Sequence, residues 1–95
     1  MIIDKETGNT LTVKLAESNR MAFPVYILQT SPEGKNQGVL GFGNTLDAWT
    51  VIQELHKSER ITIIEANFLT QQADQLDSLI IRYSSGFWQL KGNKA

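Results

Sequence analysis

The fold of this chain is decided by the stretch GVLGFGNTLDAW, residues 38–49, which predicts a glycine-spaced strand running directly into a helix. Asn44 is a favourable N-cap, and Asp47 can return a hydrogen bond and adds negative charge to the first turn. At 100° per residue, the apolar side chains that follow fill a continuous arc of about 160°. The sequence therefore predicts one amphipathic helix over about 45–58. Its apolar arc is formed by Ala48, Trp49, Val51, Ile52, Leu55 and His56.

The glycines of this stretch suggest an anion site, because a glycine-rich turn into a helix can offer backbone N–H groups to a phosphate. The details argue against it. Gly43 is followed by Asn-Thr-Leu instead of the Lys-Ser/Thr ending of a P-loop, and the three glycines lack the G-x-G-x-x-G spacing of a dinucleotide site. Asp47 also places a negative charge where the anion would bind. We interpret the glycines as a bulged strand that lets the helix turn sharply and pack closely.

Apolar segments on both sides of this unit predict the rest of the sheet. Residues 2–3 and residues 10–15 are predicted strands, the second with clean alternation of apolar and polar side chains. Residues 21–29 are apolar on both faces, and Pro24 indicates a sheet edge or a bulge there. Residues 60–68 are a further predicted strand, whereas 69–77 is either one helical turn or a loop. Residues 79–83 and 87–91 form a predicted hairpin around Gly86.

These elements predict an α+β fold with a single domain over residues 1–95. We expect two layers: an antiparallel-rich sheet of five to seven short strands, with the one amphipathic helix packed on it. In an alternative arrangement, strand 38–42, the helix and strand 60–68 form a right-handed crossover, which makes the sheet mixed. Residues 92–95 are predicted to be a frayed tail.

Composition limits the classes of function. Nine basic and ten acidic residues give a net charge of −1, which removes the general electrostatic argument for a nucleic-acid or anionic-membrane partner. The chain has no cysteine, so disulfides, thiolate metal sites and cysteine nucleophiles are excluded. No basic start with a long apolar run resembles a signal peptide, and no apolar run could span a bilayer. We therefore expect a cytoplasmic protein without a membrane partner.

Catalytic and ligand-binding signatures are missing from the sequence. His56 is the only histidine, and a general base needs an orienting partner and a nucleophile that the sequence does not identify. A metal site lacks a second histidine, and Asp74 and Asp77 belong to a polar segment without calcium-loop spacing. We expect no catalytic residue, no cofactor and no metal. A small enzyme using His56 beside a carboxylate is the least favoured alternative.

Aromatic residues are the remaining functional signal. Our leading hypothesis is a non-enzymatic interaction or accessory protein whose partner is another protein or a second copy, since such residues often anchor interfaces. An unprotected strand near Pro24 or at the hairpin could also pair with a partner chain. The candidate interaction residues are Trp49, His56, Arg82, Tyr83, Phe87, Trp88 and Lys91.

The alternative function is a small nucleic-acid-binding module that uses the C-terminal hairpin. In it Arg82, Lys91 and Lys94 contact phosphates while an exposed aromatic ring stacks on bases. Strand alternation weakens this hypothesis, because Phe87 and Trp88 are neighbours and must face opposite sides of the hairpin. We expect one of these two rings in the core and the other on the surface.

Overall fold

Six strands and two helices are found in the computed structural model, which describes residues 1–92. The α+β class is confirmed, with one four-stranded antiparallel sheet and a separate two-stranded sheet. The prediction of a single sheet is wrong, because the six strands divide into these two sheets, and the prediction of a single helix is wrong, because there are two. In chain order the elements are β1 (Ile2–Ile3), β2 (Thr10–Leu15), β3 (Val25–Thr30), β4 (Asn36–Phe42), α1 (Thr45–Lys57), α2 (Ile63–Asp77), β5 (Ile80–Arg82) and β6 (Trp88–Leu90).

The four-stranded sheet is a meander in which each strand pairs with the next one along the chain. Pro24 does not interrupt β3 but precedes it, and its carbonyl accepts a hydrogen bond from the Ala16 N–H at 2.8 Å. The predicted bulge in β4 is confirmed: the pairing register shifts between Leu28 and Thr30, and Gly38 opposite has a φ of 110°. Only glycine adopts such a conformation without strain.

Helix α1 begins and ends close to the predicted positions. The Asn44 side chain accepts a hydrogen bond from the Asp47 N–H at 2.8 Å, as an N-cap should. Ala48, Ile52 and Leu55 are buried in the core, so the centre of the predicted apolar arc is confirmed.

Helix α2 replaces both the strand predicted at 60–68 and the undecided segment 69–77. Thr62 and Glu65 form a reciprocal capping box, which fixes the first turn, and the Thr62 N–H lowers the pKa of the Glu65 carboxyl by hydrogen bonding to it. Ala66, Leu69 and Ala73 then form the buried face. The crossover alternative is wrong as well, because every strand pair is antiparallel.

The buried apolar residues form one cluster that joins both helices and both sheets. Helix α1 packs on α2 and on β4, while α2 packs on β2 and β3, so both helices cover the same face of the four-stranded sheet. Ile80 and Trp88 connect the small sheet to this cluster. Of the predicted tail, Gly92 lies in a turn and the other three residues lie outside the described ones.

An ion pair ties the N-terminal segment to the loop between the helices. The carboxylate of Asp4 is fully buried and accepts hydrogen bonds from the Arg60 guanidinium and from the Glu6 N–H. The Arg60 hydrogen bonds lower the pKa of Asp4 from 3.8 to about 2, against the opposing effect of burial. The Lys5 N–H adds a hydrogen bond to the Arg60 carbonyl at 3.0 Å.

Candidate functional site

A cleft opens between the β5–β6 hairpin and the segment 22–24 that leads into β3, with a cavity volume of about 190 Å³. We call it the aromatic cleft, since four of its lining residues carry aromatic rings. Its lining residues are Ala22, Phe23, Pro24, Gly43, Arg82, Tyr83, Gly86, Phe87 and Trp88.

The turn of the hairpin presents two rings to the solvent side by side. Tyr83 and Phe87 have ring centroids 5.6 Å apart with planes inclined by 33°, a tilted contact typical of favourable aromatic pairs. The Tyr83 N–H donates to the Phe87 carbonyl at 2.9 Å, and Gly86 has a φ of 86° that closes the turn. These rings are 45% and 56% exposed, so the pair offers a large apolar surface on a fixed backbone.

Trp88 and Phe23 form the inner and opposite walls of the aromatic cleft. Trp88 is only 9% exposed and belongs to the core, while its neighbour Phe87 points outward, so the expected division between core and surface is confirmed. The Phe23 ring packs on Gly41 of β4, where an added Cβ would be 2.0 Å from the Phe23 Cδ2 atom. Gly41 therefore makes room for the Phe23 ring, which completes the cleft.

Arg82 anchors the hairpin and is not a free cation. Its guanidinium forms an ion pair with Asp77 at the end of α2, and its Nε donates to the Gly43 carbonyl at 2.8 Å. The base of the hairpin is thus fixed to the ends of β4 and α2. A second link joins the Leu90 N–H to the Asn19 Oδ1 atom at 2.9 Å.

Three predicted candidates lie away from the aromatic cleft. Lys91 is exposed and lines a separate hollow with Leu15 and Glu17. Trp49 is 51% exposed on α1, and the Nδ1 atom of His56 lies 3.4 Å from the Ile61 carbonyl oxygen. The structure therefore brings together Arg82, Tyr83, Phe87 and Trp88, and Lys94 lies outside the described residues.

Sequence reasoning missed Phe23 and Gly43 as parts of this site. Phe23 was expected inside a strand, and Pro24 was the available signal that the strand begins later, because proline has no N–H to donate to a sheet. Gly43 was noted only as part of a turn. Its carbonyl matters here because Arg82 binds it.

Other kinds of site receive no support from residues 1–92. Within them no group of three or more histidine, aspartate or glutamate side chains could hold a metal ion. None of their helices is long and apolar enough to cross a membrane. Compared with models of protein families, curated proteins and solved structures, the chain matches none of them, so its function must be argued from the site itself.

Proposed function

We propose that this chain is a non-enzymatic protein-interaction module and that the aromatic cleft binds a partner protein. The supporting observation is the exposed Tyr83–Phe87 ring pair, held on a hairpin whose base is fixed by Arg82. Rigid aromatic side chains lose little conformational entropy on binding and are frequent hot spots of interfaces. The cytoplasm remains the proposed compartment, on the ground that the chain has no cysteine.

The nucleic-acid alternative is less well supported by this geometry. The guanidinium of Arg82 already binds Asp77 and the Gly43 carbonyl, so it is not free for a phosphate. Lys91 does not line the aromatic cleft, and Trp88 is buried. A stacking surface with one engaged cation would bind single strands weakly, because phosphate contacts supply most of the affinity.

The experiment compares three tagged proteins as baits in native lysate, each with and without nuclease, by quantitative mass spectrometry. They are the wild type, Phe87→Ala and, as a matched control, Trp49→Ala, which removes an equally exposed ring on α1. We expect a partner that survives nuclease, is lost with Phe87→Ala and is kept with Trp49→Ala. With the purified partner, Phe87→Ala should weaken binding about 30-fold, which corresponds to about 2 kcal/mol at a hot spot.

The two competing hypotheses give different results in the same experiment. Loss of every partner on nuclease treatment supports the nucleic-acid module. A partner that is lost with Trp49→Ala and kept with Phe87→Ala would show that the interface lies on α1 and not at the aromatic cleft. Both variants replace exposed side chains, so their free energies of unfolding should stay within about 0.5 kcal/mol of the wild type.

A further inference from the structure

Strand β2 is paired along its full length on one side only. All six of its residues pair with β3, from Thr10 to Leu15. On the other side, β1 pairs only with Thr10 and Leu11. Residues 12–15 therefore have no neighbouring strand on the β1 side within the described chain, and we call this segment the open edge.

The backbone groups that point to the open edge follow from the alternation of the ladder. The Ala16 N–H donates to the Pro24 carbonyl at 2.8 Å, in register with the β2–β3 pairing. Hydrogen bonding alternates along an antiparallel pair, so Thr12 and Lys14 also bond to β3. Val13 and Leu15 then direct their N–H and C=O groups away from β3, to the open edge.

The β1 side gives the same result independently. The Asp4 N–H donates to the Asn9 carbonyl at 2.8 Å, so Leu11, two residues on, also directs its N–H and C=O groups to the β1 side. By the same alternation Val13 directs its groups to that side, beyond the end of β1. The strand pairings and the loop hydrogen bonds give the Val13 and Leu15 N–H groups no backbone acceptor among residues 1–92. Two N–H and two C=O groups thus face outward at the spacing of a strand, about 6.8 Å.

Two hollows lie at the ends of the open edge, the first mainly apolar and the second of mixed polarity. One lies beside Leu11 and Thr12 and is lined by Phe68 and Gln72 of α2. The other, beside Leu15, is lined by Leu79 and Leu90 along with Glu17 and Lys91. Side chains of an added strand opposite Val13 and Leu15 would point to the helix-covered face, toward these hollows, because residues directly opposite share a face.

We propose that β2 accepts an extended peptide of a partner as an additional antiparallel strand in line with β1. The outward N–H and C=O groups are satisfied together only by an extended backbone. The peptide carries apolar residues opposite Val13 and Leu15, and an acidic residue between them opposite Lys14. Lys14 is exposed on the other face of the sheet and forms no ion pair within the described residues, so a carboxylate there complements its charge.

The probe is the capped tetrapeptide Ac-Thr-Val-Glu-Val-NH2, titrated to millimolar concentration into ¹⁵N-labelled protein. We expect amide shifts and slowed hydrogen exchange at Val13 and Leu15, whereas Thr12 and Lys14, already bonded to β3, should be protected before peptide is added. N-methylation of both valines should abolish binding, while N-methylation of the glutamate, whose N–H points away from β2, should not. Equal binding of the two methylated peptides overturns the proposal.

A charge exchange tests the predicted register. Lys14→Glu should weaken binding of the glutamate peptide about threefold, and a peptide with lysine in place of glutamate should recover that loss. Absence of any shift at millimolar peptide overturns the proposal. Protection of the Val13 and Leu15 amides that grows with protein concentration alone also overturns it, since a second copy would then be the occupant. Phe87→Ala should leave peptide binding unchanged, which separates this surface from the aromatic cleft.

Discussion

Replacing Asp4 with asparagine removes the one fully buried charge found among residues 1–92. The native carboxylate has a pKa of about 2 instead of 3.8, because the Arg60 guanidinium binds its ionised form. At about 1.4 kcal/mol for each pKa unit, this difference corresponds to about 2.5 kcal/mol of stability at pH 7. We expect Asp4→Asn to lose an amount of this order, since the amide cannot pair with the Arg60 charge.

The sign of the pH dependence follows from the lowered pKa. As the pH falls, the unfolded chain binds the Asp4 proton first, so the stabilisation is complete above about pH 5 and is lost toward pH 2. The linkage relation leaves about 1.3 kcal/mol of it at pH 3 and about 0.4 kcal/mol at pH 2. The gap in unfolding free energy between wild type and Asp4→Asn should therefore close by about 2 kcal/mol from pH 7 to pH 2.

The assay is urea unfolding followed by tryptophan fluorescence at pH 7, 5, 3 and 2, because the buried Trp88 becomes exposed on unfolding. Glu6→Gln is the control: Glu6 is exposed, and its Oε2 atom lies 3.3 Å from the Arg60 Nε. An exposed pair contributes little, so this variant should lose less than about 0.5 kcal/mol. A gap for Asp4→Asn that stays constant over this pH range would refute the reasoning, as would an equal loss in Glu6→Gln.

Three further substitutions test local features. Gly41→Ala should lower the free energy of unfolding in urea by about 1–3 kcal/mol and weaken binding at the aromatic cleft, because the added Cβ collides with the Phe23 ring. Unchanged stability would contradict that contact. Thr62→Ala should lower the free energy of unfolding by about 1 kcal/mol and reduce the helical circular dichroism signal, since the hydrogen bond from the Glu65 N–H to the Thr62 side chain is removed. An unaltered urea midpoint would contradict a stabilising role of this cap. Arg82→Gln should speed hydrogen exchange in the hairpin more than in the four-stranded sheet, because it loses the ion pair to α2 and the bond to the β4 end; uniform exchange contradicts its anchoring role.

The elements that were predicted from sequence are those in which two local signals agree. For α1, the Asn44 cap and the apolar arc mark the same helix. For the hairpin, apolar runs flank a turn with Gly86 at positive φ. Each signal lies within a few residues of the next, so local physics is sufficient there.

Helix α2 was missed because its first turn contains Ile63 and Ile64, β-branched residues that favour strands. Both side chains are exposed, so their apolar character does not reflect packing in the core. The signals that indicate the helix are the Thr62-x-x-Glu65 capping box and the spacing of the buried face from Ala66 onward. Giving these more weight than the isoleucines would have led to the correct assignment.

The aromatic cleft was predicted in part only. Its hairpin rings were identified, whereas Phe23 joins the site through a contact with Gly41, eighteen positions away in the chain. The bond from Arg82 to the Gly43 carbonyl spans 39 positions. Such contacts depend on how whole elements pack, and no local pattern encodes them.

The meander also has a consequence for the kinetics of folding. Each strand of the large sheet pairs with its neighbour in the chain, so only short loops have to close and the entropic barrier is low. The ion pair of Asp4 with Arg60 joins residues 56 positions apart, so it contributes no stability until both segments have reached their native positions. We expect it to form after the rate-limiting step, so that losing it accelerates unfolding and leaves the folding rate nearly unchanged.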